Sequence, residues 1–121
     1  MPDDELTLLA RALLRVRQSR STRFNAGLFH GEQVWNLLLI LFIADGRGER
    51  LTGRMAIERE GGSPEVGRRW FRYLTQLGYV VGDGEGHLDD PLTMTPECVH
   101  ELEAWLREAR EELRQVTVDA G

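Results

Sequence analysis

Three arginines, Arg68, Arg69 and Arg72, stand close together in the stretch SPEVGRRWFRYLTQLGYV, residues 63–80. A guanidinium group is permanently charged and presents its donors in a planar fork, so it binds phosphate oxygens or the acceptor atoms of guanine. On a helix, Arg68 and Arg72 lie four residues apart and share one face. These residues therefore indicate binding of an anionic partner rather than catalysis.

The same stretch has the signals of a helix that begins at Ser63 and ends near Gly78. A serine followed by proline supplies a capping hydroxyl and a proline at the first helical position, and glycine commonly ends a helix. The spacing predicts one buried apolar row: Val66, Trp70, Leu74 and Leu77. The outward residues, which are the candidates for binding, are Ser63, Glu65, Arg68, Arg69 and Arg72.

A shorter helix is predicted just before this one. Thr52 can cap a helix that runs from Gly53 to about Arg59, and Gly61 with Gly62 makes a tight turn. Two helices joined by such a turn form a helix-turn-helix.

Around this pair the pattern predicts further helices and a small sheet. An N-terminal helix is expected over residues 4–18, a buried helix containing VWNLLLILFIA over 32–45, and a last helix over 96–118. Short strands are predicted at residues 50–51, in YVV and in LTMT, with the loop GDGEGHLDDP between the last two. The predicted fold class is mainly α with a small β-wing, made of about five or six helices and a two- to three-stranded antiparallel sheet.

Both terminal helices carry an apolar row. In the last helix the row is Val99, Leu102, Leu106, Ala109, Leu113 and Val116, whose steps of three and four form a heptad seam. Such a seam suits a partner helix from a second copy, and the alternative is packing on its own domain. The residues predicted to take part in dimerisation are Leu6, Leu9, Leu13, Val99, Leu102, Leu106 and Leu113.

The order of these elements is that of a winged helix-turn-helix domain, and the sequence resembles the MarR (multiple antibiotic resistance regulator) family. Three stretches carry the resemblance: LFHGEQVWNLLLILFIA, SPEVGRRWFRYLTQLGYV and LTMTPECVHELEAWL. It covers roughly residues 15–113. It implies a single winged-helix domain over 1–121, in which 32–95 form the winged helix-turn-helix core and the terminal helices, 1–18 and 96–118, form a dimerisation platform.

The resemblance implies a homodimeric transcriptional regulator that places one recognition helix of each monomer in a major groove of duplex DNA. Arg68 is then predicted to contact base edges and Arg72 phosphate, whereas Arg69 could turn toward the preceding helix. Arg54 and Arg59 are further candidates for contact with the DNA backbone, because half or more of the hydrogen bonds in such interfaces go to phosphate and sugar.

A small aromatic or hydrophobic effector is also implied, bound between the dimer platform and the reading head. The aromatic residues that could line such a pocket are Trp35, Trp70, Trp105, Phe24, Phe29, Phe42 and Phe71. The alternative is that they belong to the core or to the dimer interface.

Charge is segregated along the chain in a way that the net value of -5 hides. Residues 11–72 contain 12 arginines and six acids, a net charge of +6, whereas residues 83–121 contain three arginines and 11 acids, a net charge of -8. The loop after the recognition helix contains four acids: Asp83, Glu85, Asp89 and Asp90. Wings of the family commonly carry an arginine there, at positions that fall near His87 and Leu88.

The acidic loop leaves two alternatives to DNA binding by the wing. In one, the protein is an interaction module whose acidic wing binds a basic protein partner instead of DNA. In the other, the wing mimics DNA and covers the basic surface of a second copy. Glu65 lies in the first turn of the recognition helix, where its negative charge interacts favourably with the helix dipole but also repels phosphate.

No enzyme, cofactor or metal site is predicted. The chain has no Gly-x-Ser-x-Gly motif, and no lysine follows the glycines of GDGEG as it would in a phosphate-binding loop. Cys98 and His100 form only a Cys-x-His pair, so a zinc site is not expected, and Cys98 is expected to be a small buried residue rather than a redox sensor. The longest apolar run has 11 residues and the N-terminus is acidic, so we expect no membrane span, no secretory signal and a cytoplasmic protein.

Overall fold

The computed structural model describes residues 4–24, 32–82 and 87–120. Within these residues there are five helices and two strands. In chain order they are α1 (Glu5–Arg23), α2 (Glu32–Gly46), α3 (Gly53–Glu60), α4 (Pro64–Gln76), β1 (Val80–Val81), β2 (Thr93–Met94) and α5 (Pro96–Ala120). The predicted fold class is confirmed at this level: the protein is mainly helical with a small antiparallel sheet.

The chain divides into two compact units. One is formed by Met1–Ala26 together with Glu101–Gly121, and the other by Gly27–His100. The helix α5 begins in the second unit and continues in the first.

Local capping signals decide where the helices begin and end. The hydroxyl of Thr52 accepts from the Met55 N–H at 3.2 Å, and that of Ser63 accepts from the Val66 N–H at 3.4 Å. Gly61 follows α3 with a φ of 90°, a conformation that favours glycine. The predicted caps of both helices are therefore confirmed.

The first helix is longer than predicted. Its N-cap is Asp4, whose carboxylate accepts from the Thr7 N–H at 2.7 Å, and it ends at Arg23 rather than near Gln18. The prediction ended it where the apolar row stops, but a helix continues through polar residues as long as nothing interrupts its backbone hydrogen bonds.

The helix α2 is less uniformly buried than its apolar sequence predicts. Its buried residues are Val34, Trp35, Leu37, Leu38, Leu41 and Ala44. On its other side Asn36 is exposed and Ile43 is 49% exposed. The helix is therefore amphipathic by position although most of its residues are apolar.

The buried row of α4 differs from the predicted one. Gly67, Phe71 and Leu74 are buried, whereas Val66 is 39% exposed and Trp70 is only half-buried. Leu77, also predicted for the buried row, is half-buried, so of the four predicted residues only Leu74 is fully buried.

The reason is a close approach between α3 and α4 at Gly67. A Cβ atom on Gly67 would lie 2.6 Å from Cδ1 of Ile57, which is 3% exposed. Glycine therefore occupies the position where the two helices meet. A prediction based on the spacing of apolar side chains does not identify this position as buried.

The small sheet has two strands. Val80 pairs with Met94 and Val81 with Thr93 in antiparallel register. The predicted third strand at 50–51 is reduced to an isolated bridge between Thr52 and Pro91, supported by a hydrogen bond from the Leu92 N–H to the Leu51 carbonyl at 2.9 Å.

Thr95 joins the end of the sheet to two helices. Its hydroxyl donates to the Gly78 carbonyl at 2.7 Å and accepts from the Cys98 N–H at 3.2 Å. Its own N–H donates to the Tyr79 carbonyl at 3.0 Å. One side chain thus caps α5 and binds the turn that follows α4.

In the unit of the terminal segments, Trp105 of α5 lies against α1. Its indole N–H donates to the Val16 carbonyl and to the Ser19 hydroxyl, both at 3.1 Å. Phe24 meets the Trp105 ring edge to face, with ring centroids 6.4 Å apart, and Arg15 pairs with Glu112 at 3.3 Å. The two segments therefore run antiparallel.

The heptad seam predicted for α5 is divided between buried and accessible residues. Leu102 and Val116 are buried, and so are Cys98 and Trp105, which the seam did not include. The other seam residues are half-buried or exposed: Val99, Leu106, Ala109 and Leu113. Leu102 is 0% exposed and therefore offers no surface to a partner, so its predicted role in dimerisation is wrong. The prediction failed because periodicity alone does not show which side of a helix faces the chain's own core.

Candidate nucleic-acid interface

The helix α4 is positioned by its cap, by the turn at Gly61 and by its contact with α3. All five predicted binding residues of this segment are exposed: Ser63, Glu65, Arg68, Arg69 and Arg72. The structure therefore brings them to one accessible helix, as the sequence predicted.

The three arginines lie at different angles around α4. At about 100° per residue, Arg69 lies roughly opposite the middle of the buried row of α4, whereas Arg68 lies about a quarter of a turn from it. Arg69 therefore does not turn toward the preceding helix. All three arginines are exposed, and Arg68 and Arg72 lie on one side of Arg69.

None of these three arginines has an ion-pair or hydrogen-bond partner among the residues that the structure describes. The only acid on α4 is Glu65. The exposed face of this helix therefore carries a net positive charge that the described part of the chain does not neutralise.

Beside the arginines, α4 presents an accessible apolar face. Val66, Arg69, Trp70 and Tyr73 line an open concavity of about 390 Å³. The rings of Trp70 and Tyr73 meet edge to face, with centroids 6.1 Å apart. Sequence reasoning missed this face because Val66 and Trp70 fit the predicted buried row.

Arg54, predicted to contact the DNA backbone, is engaged by the loop that follows β1. Its Nε donates to Asp89 Oδ1 at 2.9 Å and its second guanidinium nitrogen to Oδ2 at 3.4 Å. The hydrogen bond and the charge of Arg54 lower the pKa of Asp89. A backbone hydrogen bond joins the same two segments: the Arg54 N–H donates to the Leu88 carbonyl at 2.8 Å.

Arg59, the second predicted backbone contact, is paired in a similar way. Its guanidinium donates to both carboxylate oxygens of Glu49, at 2.8 and 3.4 Å. The hydrogen bond from Arg59 lowers the pKa of Glu49. Both arginines of α3 therefore have carboxylate partners, whereas those of α4 have none among the residues that the structure describes.

Comparison with protein-family models, with curated proteins and with solved structures found no match to this chain.

The described part of the acidic loop is fixed to the fold through Leu88. This residue is 4% exposed, and a Cβ on Gly53 would lie 3.3 Å from its Cδ2. Of its neighbours, His87 and Asp90 are exposed. Leu88, at one of the two positions where the resemblance led us to expect an arginine, is therefore a core residue, while Asp83 and Glu85 lie outside the described residues.

Most of the aromatic residues proposed for an effector pocket are buried. Phe24, Trp35, Phe71 and Trp105 are at most 8% exposed, while Phe42 and Trp70 are half-buried. Phe29 lies outside the described residues. An effector pocket among these residues stays a prediction.

Cys98 is buried, and burial raises the pKa of its thiol to about 11. Such a thiol is protonated and poorly nucleophilic near neutral pH. Among the described residues no group of three histidines, cysteines or acids is arranged to hold a metal ion. No helix in the same residues is long and apolar enough to cross a membrane.

Proposed function

We propose that this protein is a transcriptional regulator that binds duplex DNA as a homodimer through a winged helix-turn-helix, with α4 as the recognition helix. The observation that carries the proposal is the cationic face of α4, whose three exposed arginines have no partner among the described residues. Groups of this kind are available for phosphate and guanine.

The order of the elements supports the proposal. A capped helix, a glycine turn and a second capped helix are followed by two antiparallel strands. A helix of this size fits the major groove, and its N-terminal amides favour phosphate. In this arrangement the strands and the loop between them occupy the position of the wing.

The arginines have different roles in this proposal from those the sequence predicted. Arg69 takes the position for base edges because it lies opposite the buried row, and Arg68 and Arg72 contact phosphates at the side of the helix. Arg54 and Arg59 hold Asp89 and Glu49, so we assign them to positioning the wing and the loop before α3 rather than to DNA.

Exposed leucines on the terminal helices support a dimer. Leu6 is 74% exposed and Leu13 is 49% exposed, and Leu113 of α5 is 41% exposed. Among the described residues of α1 from 5 to 20, only Ala12 is fully buried. A second copy that covers these side chains would bury apolar surface that one chain leaves in water.

The alternative of an acidic wing that binds a basic protein has less support. Asp89 is engaged by Arg54, so one of the four acids of the loop already has an internal cation. Asp90 remains exposed. The three arginines of α4, in contrast, carry positive charge without a partner among the described residues.

The test is selection of genomic DNA fragments by the purified protein at low and moderate salt. We expect enrichment of one pseudo-palindromic site, because a homodimer presents two equivalent recognition helices. On that site, Arg68→Ala and Arg72→Ala should each lower the slope of log affinity against log salt by about 1, since each phosphate contact releases about one counterion.

The matched control is Arg110→Ala, which removes the same charge from an exposed position on α5. Its salt dependence should equal that of the unmodified protein. Failure to enrich any site at either salt concentration would contradict the proposed function. An equal loss of slope for Arg110→Ala would place the interface elsewhere.

A further inference from the structure

Val66 is an accessible branched apolar residue in the first turn of the proposed recognition helix. It is 39% exposed, although its backbone is held by the cap at Ser63. Arg69 lies one turn further along, and both residues line the same concavity, together with Trp70 and Tyr73. An apolar and a cationic side chain are thus adjacent on the accessible surface of α4.

We propose that Val66 and Arg69 read adjacent features of the DNA sequence: Val66 packs on the methyl group of a thymine, and Arg69 binds a guanine of a neighbouring base pair. This inference rests on the proposed function and adds its sequence preference. The thymine methyl is the apolar group that base pairs present in the major groove, and the O6 and N7 atoms of guanine are the acceptors that arginine binds.

The spacing of the two residues fits neighbouring base pairs. Three residues of helix rise about 4.5 Å, and successive base pairs are about 3.4 Å apart. Three residues also turn the helix by about 300°, so Val66 and Arg69 lie about 60° apart around α4 and line the same concavity. One side of one helix can therefore reach both base edges without rotation.

The neighbouring residues make the assignment specific to this pair. Arg68 and Arg72 lie to one side of the outward direction, where phosphates flank a groove. Trp70 and Tyr73 are half-buried and support the other side of Arg69. Val66 is the residue of this face that combines an apolar side chain with the N-terminal position from which recognition helices contact bases.

The test uses a duplex site selected from a random library by the purified full chain. Each thymine of the selected site is replaced in turn by deoxyuridine, which removes only the methyl group, and dissociation constants are measured for the unmodified protein and for Val66→Ala. At one thymine in each half-site, we expect the replacement to raise the dissociation constant of the unmodified protein about fourfold. This factor corresponds to the free energy gained by burying one methyl group.

For Val66→Ala, the same replacement should have no effect, because the side chain that contacts the methyl group is shortened. Arg69→Ala is the matched comparison: it should relax the preference for guanine at the neighbouring pair by about tenfold or more and keep the methyl effect. Alanine favours helix at both positions, so α4 is retained.

Two results would overturn this inference but not the proposed function. One is a selected site at which no thymine methyl contributes to binding, and the other is an equal methyl effect in the unmodified protein and in Val66→Ala. Selection of no site at all would overturn the proposed function and this inference with it, so the two failures are distinguishable.

Discussion

At the scale of single residues, position on a helix decides what an arginine can do. Arg68 and Arg69 are neighbours in sequence, yet the helix turns the second about 100° from the first and places it opposite the buried row. Arg54 and Arg59 are equally cationic but have carboxylate partners. A charge count therefore identifies a basic region, and only the side-chain contacts show which of its charges are available.

Cys98 gives a prediction on pH. The folded chain holds the pKa of its thiol near 11, above the value of about 8.5 for an exposed cysteine. The thiol is neutral in both states below about pH 8.5, and above it the unfolded chain loses the proton first. Stability is therefore lost as pH rises from about 8.5 toward 11, by up to about 1.4 kcal/mol per pH unit.

The measurement is urea unfolding of the protein and of Cys98→Ala between pH 7 and 10.5. The variant lacks the thiol, so its free energy of unfolding should fall less steeply above about pH 8.5. Parallel pH profiles for the two proteins would contradict the prediction. The comparison of slopes cancels the cost of the smaller side chain, which does not depend on pH.

At the scale of elements, the contact between α3 and α4 depends on a residue without a side chain. Gly67 faces Ile57 so closely that any Cβ would overlap its side chain. This contact sets the rotation of α4, and with it the direction of Val66 and Arg69. The proposed reading face is therefore a consequence of packing on the opposite side of the helix.

Gly67→Ala should destabilise the protein. The added Cβ would lie 2.6 Å from Cδ1 and 2.7 Å from Cγ1 of Ile57, which is buried and has little room to move. Overpacking of this kind costs about 1–3 kcal/mol. The free energy of unfolding in urea measures it.

The control is Gly46→Ala at the last residue of α2, where an added Cβ would meet nothing within 4 Å. We expect no loss there, because alanine favours helix and restricts the unfolded chain. In the background of Ile57→Ala, adding Gly67→Ala should cost less than it does in the unmodified protein if the overlap is the cause. Equal stability of Gly67→Ala and the unmodified protein would show that the two helices separate freely.

At the scale of the whole molecule, the unit of the terminal segments leaves much of its apolar surface in water. Its described internal contacts include the Trp105 indole on α1 and the Arg15–Glu112 pair. Leu6, Leu13 and Leu113 remain accessible. We therefore expect a second copy of the chain to cover them.

Leu13→Arg tests this expectation. The unmodified protein should have twice the 13.8 kDa mass of the chain in sedimentation or light scattering. The variant should have the mass of one chain, because a charge in an apolar interface loses its hydration without a partner. Circular dichroism should show an unchanged helix content, since Leu13 is 49% exposed in the single chain.

Ile43→Arg is the matched control, because Ile43 of α2 is also 49% exposed but lies outside the terminal helices. This variant should keep the dimeric mass. A dimer that persists in Leu13→Arg and dissociates in Ile43→Arg would move the interface to α2. A monomeric unmodified protein would contradict the platform altogether.

The beginnings and ends of elements could be predicted from the sequence in most cases. Thr52 and Ser63 cap helices through amides three residues further on, and Gly61 adopts a φ that other residues avoid. Such interactions act within one turn and need no other part of the chain. The seven binding residues were predicted by the same local reasoning, and the five between Ser63 and Arg72 are all exposed.

The rotation of helices and the partners of charges could not be predicted. Two rows of α4 have helical spacing, and the more apolar row, with Val66 and Trp70, is not the buried one, because Gly67 contributes contact without a side chain. Arg54 meets Asp89 across 35 positions of sequence. No residue within one turn of Arg54 or Asp89 predicts that they form an ion pair.

Residue type and neighbours within one turn are enough to predict the helix caps, the mainly helical class and the separation of basic from acidic segments. Folding sets which side of α4 is accessible, that Leu102 is buried, and that Arg54 and Arg59 are paired while Arg69 has no partner among the described residues. These properties depend on contacts between distant segments, and those contacts exist only when the chain is folded.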